Sequence, residues 1–310
     1  MAIKRVRSQA RVAPHWSVTE RSPASSCRSL EDQTGPGSLA VASSARPRQR
    51  ATNTSPSTVI SEFRKSPNVR NGILGNLAVT EFACICPHLQ AVSLKERAVL
   101  QDAGKPIEYV HFIEAGLVSL RTLTAGGVLE TAMVGPHGAV GASVALGAET
   151  AIHYAVVLVA GSALKIRVDH LRQLMIERPL IREHLLQHIQ QLMVHISQAA
   201  FCGVRHELEQ RLAGWLSLAC DTLDRDILPI THDHLSLILG LPRAGLTKSL
   251  IRFAEHGLIR KTRGFIQVRE RALLREKACA CYGTIANVGK NPAPAGLVLA
   301  STSLQNRIYS

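Results

Sequence analysis

Several things are missing from this chain of 310 residues, and each absence narrows what it can be. No apolar run approaches the length of a membrane span; the longest, around Ala155–Ala160, is far too short. The N-terminal segment lacks the apolar stretch of a secretory signal. Seven cysteines, an odd number scattered along a long chain, do not make a disulfide framework, which points to a reducing compartment. There is no Gly-x-Ser-x-Gly, no HExxH, no P-loop lysine and no paired carboxylates in a strand-end setting. The thirteen histidines are dispersed or fall on helix positions expected to be exposed. These absences predict a soluble, cytoplasmic protein that is not an enzyme and has no membrane contact.

What is present suggests two domains: 46% hydrophobic content is enough for genuine cores at this length. The net charge of +13 is concentrated at particular places. Residues 1–70 hold twelve basic and four acidic residues in a Ser-, Arg-, Pro- and Ala-rich stretch without periodicity, which reads as a disordered basic leader. Its composition suits an organellar transit peptide, a flexible basic arm, or a start codon set too far upstream. Residues 71–230 carry twelve basic against fifteen acidic residues, whereas residues 231–277 carry ten against four.

Past a short apolar, helical lead-in (Gly72–Pro87), strand-like pieces recur at Ile107–Ile113, Leu117–Leu123, Val128–Val134, Ile152–Val159 and Leu164–Val168. Turn signals separate them at Glu114-Ala115-Gly116, Ala125-Gly126-Gly127 and Gly135–Gly138. Short strands with Gly-containing turns and no long helix between them predict an antiparallel barrel or jelly roll over 71–177. The period then changes. Asp169–Glu177 reads as a short helix, and Pro179 opens a longer one over 178–204. In it Leu186, Ile189, Met193, Ile196, Ala200 and Gly203 step by 3 and 4 alternately, a heptad seam, with Leu185, Leu192 and Ala199 in a second line beside it. One line can face the β-domain and the other a second copy of the helix. The same spacing would suit one broad buried stripe in a monomer, but the small Ala200 and Gly203 favour close helix pairing. His184, His188 and His195 project off the seam; i, i+4 histidines can chelate a metal, though solvated histidines are far commoner. Arg205–Asp221 reads as another amphipathic helix, and beyond Tyr282 the chain turns Pro-, Gly- and Ser-rich, a flexible tail over 283–310.

The most informative stretch is Leu228–Arg269. Thr231 is a good N-cap, with Asp233 in the first turn where the helix dipole favours a negative charge. Leu235, Ile238 and Leu239 make one apolar face, and Gly240-Leu241-Pro242 breaks the helix and opens another. Leu246, Leu250 and Phe253 then form an inner stripe, with Arg243, Ala244, Thr247 and Lys248 on a different side. Gly257 ends the helix. Ile259, Ile266 and Val268 can build a two-stranded wing around the Lys261–Gly264 turn. An ordinary core αα-hairpin has similar stripes; the local excess of ten basic over four acidic residues is what indicates a winged helix-turn-helix over 205–282.

An antiparallel β-domain, a dimerising helix and then a winged helix-turn-helix resembles the Crp–Fnr superfamily of bacterial transcription regulators. The resemblance covers roughly Gly72 to Tyr282 and is most specific in AFCGVRHELEQRLAGWL and LPITHDHLSLILGLPRAGLTKSL. It implies an α+β chain with a cyclic-nucleotide-binding-like β-roll, a homodimer through the seam helix (Leu186, Ile189, Met193, Ile196, Ala200), promoter DNA as ligand, and RNA polymerase as a further partner. Aligned on the family, Arg243 matches its first base-reading arginine, Ala244 stands where glutamate is usual, and Lys248 stands where a second arginine often sits. Thr247 would reach a thymine methyl or a phosphate, while Thr231, Lys261 and Arg263 would meet phosphates.

This sequence departs from the family's nucleotide-binding pattern. The cassette region reads HGAVGASVALG, so Gly141 is followed by Ala142 rather than glutamate, and no Arg or Lys occurs between Arg121 and Lys165. A buried phosphodiester would lack its cation, so no cyclic nucleotide is expected. Gly135, Gly138 and Gly141 lie between strands and suit turns better than a phosphate loop. Cys84-x-Cys86 and Cys279-x-Cys281 match no recognised iron–sulfur spacing, and Cys27, Cys202 and Cys220 stand alone, so neither a cluster nor a metal is expected. The effector is then an unknown small molecule or a redox signal. The competing expectation is a ligand-sensing or protein-interaction module with weak or lost DNA binding.

Overall fold

A buried asparagine organises the start of the structure, a computed structural model that describes residues 69–125 and 127–288. Asn71 is fully buried, and its side-chain oxygen accepts from the amides of Ile73 and Leu74, capping helix α1 (Gly72–Gly75). Its Nδ2 donates to the carbonyls of Ile113 at 2.9 Å and Gly138 at 2.8 Å, tying α1 to the sheet. Helix α2 (Val79–Ile85) and a 3-10 turn at Cys86–His88 follow. The leader expectation for residues 1–68, and the tail expectation beyond residue 288, lie outside the described residues.

Six strands then form one antiparallel sheet: β1 (Gln90–Leu94), β2 (Val99–Gln101), β3 (Tyr109–Thr124), β4 (Gly127–Val134), β5 (Ala139–Val140) and β6 (Tyr154–Arg167). The order is β1-β6-β3-β4, with β2 paired to β6 and β5 to β3. The sequence pattern predicts five short strands; the structure merges four of them into β3 and β6. The turn expected at Glu114–Gly116 is a run of bulges, with register shifts at Ile113/Ala115, Ala115/Leu117 and Leu117/Val118. Gly116 has φ +94°, and opposite it a Cβ on Gly161 would fall 1.9 Å from the Ala115 carbonyl oxygen. Two glycines therefore let the strands kink together where a turn signal would otherwise end them. The result is two cores. One fills the strand interior with Ile113, Val118, Leu120, Val134 and Val157, and the other seats α1, α2 and the next two helices on Val110, Phe112 and Ile166.

Those helices are α3 (Val168–Glu177) and α4 (Pro179–Arg205), close to the predicted spans. His206 is extended, and Glu207 starts α5 (Leu208–Leu223) through a reciprocal capping box with Gln210. Then come β7 (Ile227–Leu228), α6 (His232–Leu239), α7 (Arg243–Glu255), β8 (Ile259–Thr262), β9 (Phe265–Val268), α8 (Arg271–Lys277) and α9 (Ala280–Val288). The wing has three strands, order β7-β9-β8, rather than two. Helix α9 carries the chain past Tyr282, where a loose tail was expected.

The C-terminal core (Leu212, Leu216, Leu235, Ile238, Leu246, Leu250, Phe253) runs on into Leu117, Met133 and Leu158 of the sheet. A polar latch reinforces this junction. Trp215 Nε1 of α5 donates to Glu130 of β4 at 2.6 Å, and Ser119 Oγ donates to the other carboxylate oxygen at 2.5 Å. Burial pushes the Glu130 carboxyl up to about 7, partly offset by these two donors and by Arg121. Among the described residues, no helix is long and apolar enough to cross a membrane.

Candidate nucleic-acid interface

Helix α6 begins at Thr231, whose hydroxyl accepts from the His234 amide at 3.3 Å. It ends at Gly240, left-handed at φ +59°, a conformation that suits glycine at a helix C-cap. The Leu241 amide bonds back to the Ser236 carbonyl at 3.0 Å, and Ser236 Oγ donates to the Leu241 carbonyl at 2.6 Å. Arg211 of α5 donates to the Leu239 carbonyl at 2.6 Å, meeting the negative end of α6 with a cation. The turn between the helices is thus held by its own backbone and by α5.

Helix α7 buries Leu246, Ser249, Leu250 and Phe253 and exposes Arg243, Ala244 and Lys248, with Thr247 half-buried. Arg252 donates to Glu209 of α5 at 2.8 Å, fixing the far end of α7. An open cleft of about 430 Å³ lies between the starts of α6 and α7 and the wing, lined by Thr231, His232, Asp233, Arg243, Lys261 and Arg263. Four of the seven residues picked as DNA contacts therefore share one cleft, and Ala244 and Lys248 lie exposed on the adjoining helix.

Within the cleft Arg243 forms an ion pair with Asp233, so the first-turn acid also holds the arginine. Both partners are well exposed, and such a pair is worth at most about 1 kcal/mol, so exchange for another acceptor is cheap. Burial and then the Lys261 charge lower the His232 imidazole below its ordinary range, with Arg243 adding to this and Asp233 opposing it.

On α4 the seam residues do not all face outward. Leu186 and Ile189 pack half-buried on the helix-side core, and Ile196 on the strand core beside Leu192. Met193 and Ala200 are exposed, and Phe201 and Val204 extend that stripe with 53% and 84% exposure. His188, expected among solvated histidines, is buried. Its Nε2 accepts from the Ala139 amide at 3.0 Å, and burial lowers its imidazole to about 4.

Sequence spacing also missed a side-chain cluster. Cys202 near the end of α4, His206 at the break after it, and Cys279 and Cys281 at the start of α9 place one ligand atom each within 4.8 Å of one another. The Cys202 and Cys279 sulfurs are 3.4 Å apart, and Cys281 Sγ lies 3.5 Å from His206 Nδ1. Cys202, which stands alone in the sequence, is therefore brought together with His206 and the Cys279-x-Cys281 pair.

Residues 210–277 match the family model of the Crp-like helix-turn-helix domain. No curated protein matches the chain. Among solved structures, FixK2 from Bradyrhizobium japonicum is similar at TM-score 0.55 and 16% identity, over 62% of this chain and 98% of that one. The c-di-GMP responsive global regulator CLP from Xanthomonas campestris gives 0.52 and 14%, over 61% and 98%. A Crp/Fnr-family transcriptional regulator from Thermus thermophilus gives 0.51 and 24%, over 61% and 98%. At these identities the structures speak for the fold, and the domain match speaks for the helix-turn-helix. Residues 210–277 therefore carry a Crp-like helix-turn-helix domain, and the chain shares the fold of the Crp/Fnr-type structures it resembles.

Proposed function

We propose that the chain works as a cytoplasmic homodimer that reads a near-palindromic promoter site with α7. Two recognition helices would enter successive major grooves roughly 34 Å apart. The observation that carries this reading is the cleft in which Arg243, Lys261, Arg263 and the N-cap Thr231 converge beside the exposed start of α7. Arg243, freed from Asp233, offers a guanidinium fork to a guanine edge; Lys248 and Thr247 follow along the same helix start. Ala244 offers no hydrogen bond to a base, so the half-site differs from one read by a glutamate there. Lys261, Arg263 and Thr231 serve phosphates and add affinity without sequence choice. The dimer forms along α4, with Met193 and Ala200 central and Leu186, Ile189 and Ile196 at the margin packed on each protomer's own body.

The role is regulatory and non-catalytic, with RNA polymerase as a further partner and a small molecule or redox change as effector. A cyclic nucleotide does not suit the β-roll. Two arginines beside the turn at Ala142–Leu146 already donate to backbone carbonyls: Arg182 to Ala145 at 3.1 Å and Arg172 to Ala148, just past the turn, at 3.2 Å. Selection of fragmented genomic DNA on the purified chain, followed by sequencing, tests the reading. Enrichment of a two-fold symmetric motif supports it; recovery of no motif favours a sensing or interaction module without DNA binding.

A further inference from the structure

We propose that Cys202, His206, Cys279 and Cys281 form a mononuclear Zn²⁺ site that clamps the end of the α4 helix to the C-terminal helix α9. A tetrahedral zinc with Zn–S near 2.3 Å and Zn–N near 2.0–2.1 Å sets its sulfurs about 3.8 Å apart and sulfur to nitrogen about 3.5 Å apart. The structure has 3.4 Å between the Cys202 and Cys279 sulfurs, 3.5 Å from Cys281 Sγ to His206 Nδ1, and all four atoms within 4.8 Å. A cluster of two or more irons would need its ligands spread more widely.

Three thiols and one imidazole are a closed structural set for zinc, with no position left for water or substrate. Cys279 and Cys281 are buried, Cys202 and His206 half-buried, and the Phe201 ring meets His206 edge-on with centroids 5.5 Å apart. Binding releases one proton from each of the three thiols and leaves the site with one net negative charge. Arg211, whose charge is felt at Cys202, partly offsets it.

The placement gives the ion a task. Cys202 and His206 flank the point where α4 stops and the chain turns into α5, and Cys279 and Cys281 begin the helix that packs back against α4. The ion therefore joins the element proposed for dimerisation to the last helix of the DNA-binding half. It stands on side-chain geometry, independent of whether the chain binds DNA.

The test uses the full chain. After purification without added metal, elemental analysis should find about one zinc per chain. Chelator-treated, reduced protein titrated with Co²⁺ should develop the visible ligand-field bands of a tetrahedral ion and thiolate-to-cobalt charge transfer, both bleached by added Zn²⁺. The Cys279→Ser, Cys281→Ser double variant should lose the metal and the cobalt spectrum while keeping its circular dichroism; Cys84→Ser, Cys86→Ser should keep both. Because the cysteine variant could fail to fold, the wild-type cobalt titration stands by itself as the deciding measurement. Absence of tetrahedral cobalt bands, iron with acid-labile sulfide in place of zinc, or a Cys202–Cys279 disulfide in the untreated chain would each overturn the assignment.

Discussion

At the scale of single residues, Glu130 is the side chain whose surroundings make the sharpest demand. It accepts from Ser119 at 2.5 Å and from Trp215 at 2.6 Å, and burial raises its carboxyl from 4.5 to about 7. The folded state therefore holds a proton that the unfolded state has released, so stability falls as pH rises from about 4.5 to 7. His111, His188 and His195 act in the opposite sense. Burial lowers each from 6.5 to about 4, so the unfolded chain takes up their protons first and stability falls as pH drops through that range. Glu130→Gln separates the two effects. In urea unfolding at a series of pH values, the wild type should lose stability relative to the variant between about pH 4.5 and 7, then run parallel to it. Parallel curves throughout would mean that Glu130 is not held protonated.

At the scale of elements, the exposed stripe on α4 is the feature that needs a partner. Met193 is 57% exposed and Val204 84%, with Phe201 between them, a costly arrangement for a helix that ends its life in water. Met193→Glu should shift the chain to a monomer in sedimentation and leave its circular dichroism unchanged, because the side chain touches little of its own protomer. An unchanged mass would put the interface elsewhere. The helices were legible because their signals are local: Thr231 caps α6, Gly240 takes the left-handed turn, and Pro242 precedes α7. The long strands were not, since a left-handed glycine such as Gly116 marks a bulge as readily as a turn. Burial of His188 depends on the Ala139 backbone 49 positions away, and the cysteine cluster joins residues 77 positions apart. No helical period reports such contacts. Of this cluster only Cys279-x-Cys281 reads as a pair in the sequence, while Cys202 stands alone and His206 carries no signal; the α4–α9 packing is what joins them.

At the scale of the whole molecule, the C-terminal half is built on the sheet, not tethered to it. Its core continues into Leu117, Met133 and Leu158, and the Trp215–Glu130 bond crosses the same junction. On the proposed reading, a signal that alters the β-roll would act directly on the base of the helix-turn-helix, and α4 with its exposed stripe would hold two such units in register. The charge distribution agrees: residues 231–277 carry ten basic and four acidic residues while 71–230 carry an acidic excess, so attraction to a polyanion is focused on one face-forming segment. The most direct test is fluorescence anisotropy of the full chain on its selected duplex and on a random duplex, across a series of salt concentrations. The wild type should bind both, more tightly the selected one, with affinity falling log-linearly in salt. Arg243→Ala should cost about 1–3 kcal/mol on the selected duplex alone, and Lys261→Ala should weaken both and reduce the salt slope by about one unit. Indifference to duplex DNA at low salt, or equal losses for both variants on both duplexes, would contradict the account.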